Sequence, residues 1–409
     1  MGGWRSLLLF GVAVPLSARV LWVGASAEFL TVEAALRAAR PGDTVRLQPG
    51  VYREWGLVVE VPIVLEGNGA AVLDAEGRGE ILRVRASGVT IRGLVLRRSG
   101  VSFLRDNAAI RLDSVQDCRI ERNRLEENFF GIYLARSARC TVQENSILGK
   151  AEREASAGNG IHLWYCRDIL VRGNTIAGHR DGIYFEFVQR STVEENRSER
   201  NLRYGLHFMF SDSCLYRRNR FRENRAGVAV MYSRFITMEE NRFEDNWGSS
   251  VFGLLLKDIY RSRIRRNVFV HNTVGMYVEG SDHNVVDSNR FERNGWALRL
   301  MASAQRNVFR ANSFVANTFD LSTNSTRSFN ELRGNYWSRY RGYDLDGDGY
   351  GDVPFHPVGL FALLVERFPP VVLFLHSLLV ELLELAERVF PVLTPAAIVD
   401  PQPLMGQPV

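Results

Sequence analysis

The stretch Arg218–Tyr232, RNRFRENRAGVAVMY, decides the fold. Two short runs with period-two alternation flank a polar, asparagine-rich corner, which predicts strand, turn, strand. No helical pattern fits between them. The same phrase recurs along the chain. Asn123, Asn145, Asn174, Asn196, Asn219, Asn241, Asn267, Asn289, Asn312 and Asn335 stand 22 or 23 residues apart, with gaps of 29 and 26 at two places. Offset from them, Gly131, Gly160, Gly182, Gly205, Gly227, Gly253 and Gly275 each open an alternating phrase such as GIYL, GIHL or GLHF. A fixed period in the low twenties marks a repeat protein, in which each repeat buries its apolar side chains only by stacking on its neighbours. The expected fold is all-β: a right-handed parallel β-helix, one coil per repeat. The two longer gaps predict loops at Lys150–Gly158 and around Trp247–Ser250.

Aligning the coils gives each column a task. The first position after the glycine reads Ile132, Ile161, Ile183, Leu206, Val228, Leu254, Met276, and the third reads Leu134, Leu163, Phe185, Phe208, Val230, Leu256, Val278. Both columns are uniformly apolar and are expected to point inward. The asparagines are expected to form an inward amide ladder at a corner, bonding to backbone above and below. Among the cysteines, Cys118, Cys140 and Cys214 share one repeat position and read first as small corner residues. Cys118 and Cys140 fall on adjacent coils, so a disulfide between them is conceivable.

The chain divides into four parts. Residues 1–27 carry Arg5, an apolar run and Ala25-Ser26-Ala27, the pattern of an export signal. Residues 28–335 form the β-helix, opened by a short capping helix over Thr31–Arg40. Residues 336–357 contain YDLDGDGYGD, which places Asp344, Asp346, Asp348 and Asp352 at calcium-loop positions with Gly349 at the sharp turn. Phe355 stands where the closing glutamate belongs, and flanking helices are missing. A bound calcium and a plain Asp/Gly turn are the two readings, each closing the β-helix rather than catalysing a reaction. Residues 358–409 form an apolar tail whose acids fall on one side of an amphipathic helix between Val371 and Phe390. Each apolar run is too short to span a bilayer. Either the tail caps the β-helix, or it docks onto a membrane protein or bilayer surface through Leu373, Leu375, Leu379 and Leu382.

Net charge is +5, carried almost wholly by arginine, since Lys150 and Lys257 are the lysines. The charges are scattered, without a basic tract or interleaved aromatics, which argues against nucleic acid. The outward columns of the glycine strands are the chemically informative ones. One reads Tyr133, His162, Tyr184, His207 and Ala229; the other reads Ala135, Trp164, Glu186, Met209, Met231, Lys257, Glu279 and Met301. His162, His207, Met209 and Met231 together offer imidazole and thioether, a soft donor set suited to Cu(I). Trp164, Tyr184 and Met301 fit a docking surface on the same face. Direct ligation and docking both remain open. The competing class is a lyase, epimerase or sugar-binding β-helix. It requires a base and charge neutralisation at one spot, whereas Glu186, Lys257, Glu279 and Arg299 lie spread along the face. A non-enzyme is expected.

The opening TVEAALRAARPGDTVRLQPGVYRE, the central coils carrying GIHLWYC and YGLHFMF, and the closing GNYWSRYRGYDLDGDGYGDVP occur in this order ahead of an apolar tail. Together they resemble the NosD family, periplasmic β-helical proteins of nitrous oxide reductase maturation, over nearly the whole mature chain. The resemblance implies partnership with an inner-membrane ABC transporter. It also implies copper received from a lipoprotein copper chaperone and delivered to the copper centres of nitrous oxide reductase. The apolar tail then looks like the element that holds the transporter's membrane subunit.

Overall fold

Each asparagine-centred repeat folds as one coil of three short strands in the computed structural model, which describes residues 18–102, 104–248, 251–325, 327–390 and 398–407. Like strands of successive coils pair in parallel, giving sheets of 14, 12 and 13 strands that run the length of the molecule. This is the parallel β-helix that the repeat predicts. The inward columns are buried as expected, including Ile132, Leu134, Ile183, Phe185, Leu206 and Phe208. The 12-stranded sheet holds the glycine strands. A Cβ on Gly131 would lie 2.4 Å from the Gly160 carbonyl oxygen and 2.7 Å from Ile147 Cγ2, so close approach of the coils is what keeps glycine there.

The asparagine ladder runs unbroken through the interior. Asn196 is typical: its Nδ2 donates to the Val171 carbonyl (2.9 Å) and to Asn219 Oδ1 (3.1 Å), and its backbone N–H donates to the same Oδ1 (3.0 Å). The corner strain does not fall on the asparagines themselves. It falls on the residue before each, such as Arg122, Glu144, Glu195 and Arg218 at φ of 53° to 57°, with Gly173 and Gly334 taking that place in two coils. A second ladder, five residues further on, joins Asn201, Asn224, Asn246, Asn272, Asn294 and Asn317 by the same amide contacts. Beside it the rings of Phe221, Phe243, Phe269, Phe291, Phe314 and Trp337 stack with centroids 4.1 to 5.6 Å apart.

Both ends depart from the expected boundaries. The first coil begins upstream of residue 28. Val20–Val23 pairs in parallel with Thr44–Leu47, Leu21 and Val23 are buried, and Arg19 Nη2 lies 2.6 Å from Asp43 Oδ2. Burial and packing thus claim residues that the sequence pattern assigns to the export signal; residues 1–17 lie outside the described residues. Helix α1 (Val32–Ala38) follows, with Thr31 Oγ1 accepting from Ala34 N and the Glu54 carboxylate accepting from Val32 N and Glu33 N.

At the other end the tail is not one docking unit. Helix α2 (Leu360–Arg367) precedes Pro369-Pro370, a 3-10 turn at Pro369–Phe374 takes the start of the helix expected from Val371, and helix α3 (Leu378–Val389) covers only its later part. The chain then returns to close the β-helix. Fully buried Asp400 takes the place of the next asparagine: Oδ2 accepts from Asn335 N (3.0 Å), Asn335 Nδ2 (3.0 Å) and Trp337 Nε1 (3.1 Å), and Oδ1 accepts from Gly334 N (3.1 Å). Phe355 exchanges backbone hydrogen bonds with Asp400 and extends the ring stack, 5.2 Å from Trp337. That role accounts for an aromatic where a calcium loop would close with glutamate. The second ladder also ends on a carboxylate, with Asn317 Nδ2 donating to buried Asp320 Oδ1 (3.2 Å).

Replacing Asp400 with Ala would leave several buried N–H groups without acceptors, each costing about 1–3 kcal/mol. Asp400→Ala is therefore expected to lower stability by more than about 3 kcal/mol, and Asp400→Asn by less, since an amide oxygen still accepts. Unchanged thermal melting of the alanine variant would contradict the capping role. Asp320 behaves differently. Burial pushes its carboxyl up to about 6, so the folded state holds a proton that the unfolded chain releases near pH 4. Stability should fall as pH rises from about 4 to 6 and stay lower above it. Asp320→Asn is expected to gain on the order of 2–3 kcal/mol at pH 8 and to flatten that dependence. Denaturation at pH 5 and pH 8 checks this, and a variant no more stable than wild type at pH 8 counts against it.

Candidate metal-handling face

Four neighbouring strands of the 12-stranded sheet, Ile161–Trp164, Asp181–Glu186, Tyr204–Met209 and Ala226–Arg234, carry the candidate donors. Pairing is in register, so His162, Tyr184, His207 and Ala229 form one outward column and Trp164, Glu186, Met209 and Met231 the next. Coils lie about 4.8 Å apart and alternate residues about 6.8 Å apart along a strand. His207, Met209 and Met231 therefore share one patch of the outer face, as their spacing predicts.

That face is not the open surface that the alternation suggests. His162 is 9% exposed and His207 5% exposed. Rings from adjacent coils cover them. Tyr133 stacks flat on His162 (4.3 Å, 8°), Phe130 meets it edge-on (5.5 Å), and Tyr184 lies between the two imidazoles at 4.7 and 5.0 Å. Tyr204 packs on His207 from its own strand (4.7 Å). Trp164, Tyr184, Met209 and Met231 are half-buried. Met301 leaves the set altogether: it follows its strand, is buried, and lines a 150 Å³ cavity with Gln305 and Thr323 near the far end.

The two histidines have separate environments. His162 Nδ1 lies 2.9 Å from Asn159 Nδ2, and burial pushes its pKa down to about 3, so it is neutral. The Tyr184 ring separates it from His207. His207 stands beside a carboxylate that the column reading overlooked. Its Nδ1 lies 3.5 Å from Asp181 Oδ2 and 3.4 Å from Arg203 Nη2, while its buried Nε2 has no partner. Asp181 is 0% exposed and accepts from Arg203 Nε (2.8 Å) and Nη2 (2.5 Å) and from Tyr204 N (3.3 Å). Burial opposes its charge, but Arg203 and His207 overcome that and hold the carboxyl below its usual range. The signal was present in sequence. Asp181 is the sole charge in the column just before the glycine, where other coils carry Phe130, Asn159, Tyr204 and Ala226.

The thioethers sit at the rim. Tyr184 OH points to Met209 Sδ at 3.7 Å, and Met231 is the register partner of Met209. Immediately beyond, Tyr165, Phe187, Phe210 and Tyr232 stack in a stripe along the axis, with centroids 4.6 to 5.2 Å apart. All four are substantially exposed and hold φ of 50° to 54°, a conformation costing bulky residues on the order of 1 kcal/mol each. Chemically the patch offers an imidazole nitrogen and two thioethers at a water-poor rim, which fits a soft monovalent ion. The orphaned Nε2 is the observation on which that fit rests.

The remaining candidates divide. Asp344, Asp346 and Asp348 place carboxylate oxygens within 4.8 Å of one another, but Asp352 accepts from Leu345 N (2.7 Å) instead of joining them. Leu373, Leu379 and Leu382 are exposed as expected, Leu373 to 85%, whereas Leu375 is half-buried against the cluster that α2 and Val380 form with Phe319. On α3 the stripe Leu378, Leu382, Leu385 and Val389 faces outward, while Val380 is buried and Glu387 Oε1 accepts from Leu360 N at the start of α2. α2 is anchored to the sheet by Arg299 and Glu366 (2.6 and 2.8 Å). Among the described residues no helix is long and apolar enough to cross a membrane. All four cysteines are buried free thiols, so the conceivable Cys118–Cys140 bond is not formed.

A β-helix with a soft-donor face and an outward apolar helix is the class that fold and geometry define. The chain belongs to the NosD family. The family model described as "Periplasmic copper-binding protein (NosD)" matches residues 149–342. A relative named "Probable ABC transporter binding protein NosD", from Pseudomonas aeruginosa, is 33% identical over 399 residues, covering 91% of this chain and 93% of its own. One of the same name from Stutzerimonas stutzeri is 30% identical, covering 92% of each. Among solved structures, the family 28 exopolygalacturonase of Yersinia enterocolitica is similar with a TM-score of 0.59 at 11% identity, covering 76% of this chain and 75% of that one. The periplasmic alginate epimerase AlgG gives 0.53 at 16% identity, covering 71% and 82%. At these identities the likeness is one of fold.

Proposed function

We propose that this chain is a periplasmic, non-enzymatic copper-handling protein. It docks on the membrane subunit of an ABC transporter, receives Cu(I) from a lipoprotein copper chaperone, and serves assembly of the copper centres of nitrous oxide reductase. The observation that carries the proposal is the in-register grouping of His207, Met209 and Met231, with a buried Nε2 that no protein group satisfies. Copper is cargo here, held by soft neutral ligands that take it up and release it. The family description and the relatives' names agree with this reading. So does the outward apolar stripe of α3, which has the pattern of a helix that lies in a hydrophobic groove.

One observation favours the polysaccharide reading, namely a carboxylate, a guanidinium and an imidazole at one place on this face. Asp181 is fully buried, however, and Arg203 engages both its oxygens. A base so enclosed is poorly placed to meet a polymer.

Anaerobic Cu(I) competition on the full chain, with His207, Met209 and Met231 all changed to Ala, tests the proposal. Wild type is expected to bind, and the variant to bind at least ~100-fold more weakly. No binding by wild type, or turnover of uronate polymers, overturns it. In the same preparations, Leu378→Ser, Leu382→Ser and Leu385→Ser together should abolish co-purification with the transporter and leave copper binding intact. Truncation is the wrong probe, because it removes Asp400.

A further inference from the structure

His207 has two ring nitrogens in contrasting surroundings. Nδ1 faces the Asp181–Arg203 pair at 3.5 and 3.4 Å, and Nε2 is buried without any partner. The guanidinium donates to both oxygens of Asp181 and has no means of giving its proton up. The two possible tautomers therefore differ in what they leave buried. With the proton on Nδ1, the ring donates toward the carboxylate and Nε2 keeps a lone pair. With the proton on Nε2, Nδ1 accepts from Arg203 Nη2 (3.4 Å), but a buried N–H is left without an acceptor, which costs about 1–3 kcal/mol, and the carboxylate faces a lone pair.

The space near His207 is also distinctive. Its register partner on the next coil is Ala229, the smallest side chain of the column, where neighbouring coils carry Tyr184 and Leu255. Met209 and Met231 flank the same position in the next column. A carboxylate behind one ring nitrogen, with the other left without a partner, is the arrangement by which proteins fix and strengthen an imidazole ligand.

We propose that Asp181, kept in place by Arg203, is the positioning residue of the copper site, fixing His207 as the Nδ1–H tautomer with Nε2 as the metal donor. This rests on the copper-handling role proposed above. Asp181 does not itself touch the metal. Binding forms the Nε2–metal bond through the lone pair that the Nδ1–H tautomer leaves on Nε2. The site is then set before copper arrives, and a carboxylate three residues before a buried histidine's strand neighbours becomes part of the affinity.

Two readouts on the full chain test this. Nitrogen-15 NMR of His207 in the metal-free protein should show Nδ1–H in wild type and a shift toward Nε2–H in Asp181→Asn. Anaerobic Cu(I) competition should show affinity reduced about 10- to 100-fold in the same variant. Ag(I), a diamagnetic probe, should move the His207 Nε2 resonance in wild type. If Asp181→Asn fails to fold, Asp181→Asn with Arg203→Met removes both charges together and is expected to show the same weakened binding. Wild-type His207 as the Nε2–H tautomer, or unchanged affinity in a folded variant, overturns the inference while leaving copper handling at His207, Met209 and Met231 intact. Absence of Cu(I) binding by wild type removes both.

Discussion

A buried side-chain amide has both a donor and an acceptor to satisfy, and in this molecule the coils on either side satisfy them: Oδ1 accepts from the coil before, and Nδ2 donates to the coils before and after. Asn123 donates to Asn145, Asn145 to Asn174, and so on to Asn335, while every Nδ2 also takes a carbonyl from the coil below. The interior cannot stop without a terminal acceptor. Asp400 supplies it, and Asp320 does the same for the second ladder. Parallel stacking, the ring column ending on Phe355 and the return of the C-terminal strand all depend on that requirement.

Rigid stacking is also what makes the outer face useful. Because register is fixed by two ladders and a ring column, residues far apart in sequence stand about 4.8 Å apart on adjacent coils. His207, Met209 and Met231 need no loop to bring them together. Tyr184 and Tyr204 exclude water from the imidazole, and Tyr165, Phe187, Phe210 and Tyr232 give the thioether rim an apolar border suited to protein contact. The strained corner conformation of those four aromatics is sustained by their stacking on one another. α3 presents a second apolar surface, with Glu387 turned toward the start of α2.

Much of this was legible in the sequence wherever a signal repeats. The Asn123-to-Asn335 column, the inward Ile132 and Leu134 columns and the Met209/Met231 pairing follow from period alone. The second asparagine ladder carried the same signal, five residues away, and was missed beside the first. What was illegible depends on contacts with no periodicity. His207 is buried because Tyr204 and Tyr184 lean over it, which alternation along a strand does not encode. Asp181 opens its strand, and its contacts with Arg203 and His207 cross to the next coil, which nothing in its own strand's alternation marks. Asp400 lies 65 residues beyond Asn335 across two helices, so nothing local marks it as the end of the ladder. Val20–Val23 looked like the end of an export signal because an apolar strand and an apolar leader have the same composition.

X-ray absorption at the copper edge, on the full chain loaded with one equivalent of Cu(I), tests the central claim most directly. Two thioether sulfurs and one imidazole nitrogen, from Met209, Met231 and His207, are the expected copper ligands. A shell of sulfur alone, of thiolate, or of oxygen and nitrogen without sulfur would contradict it.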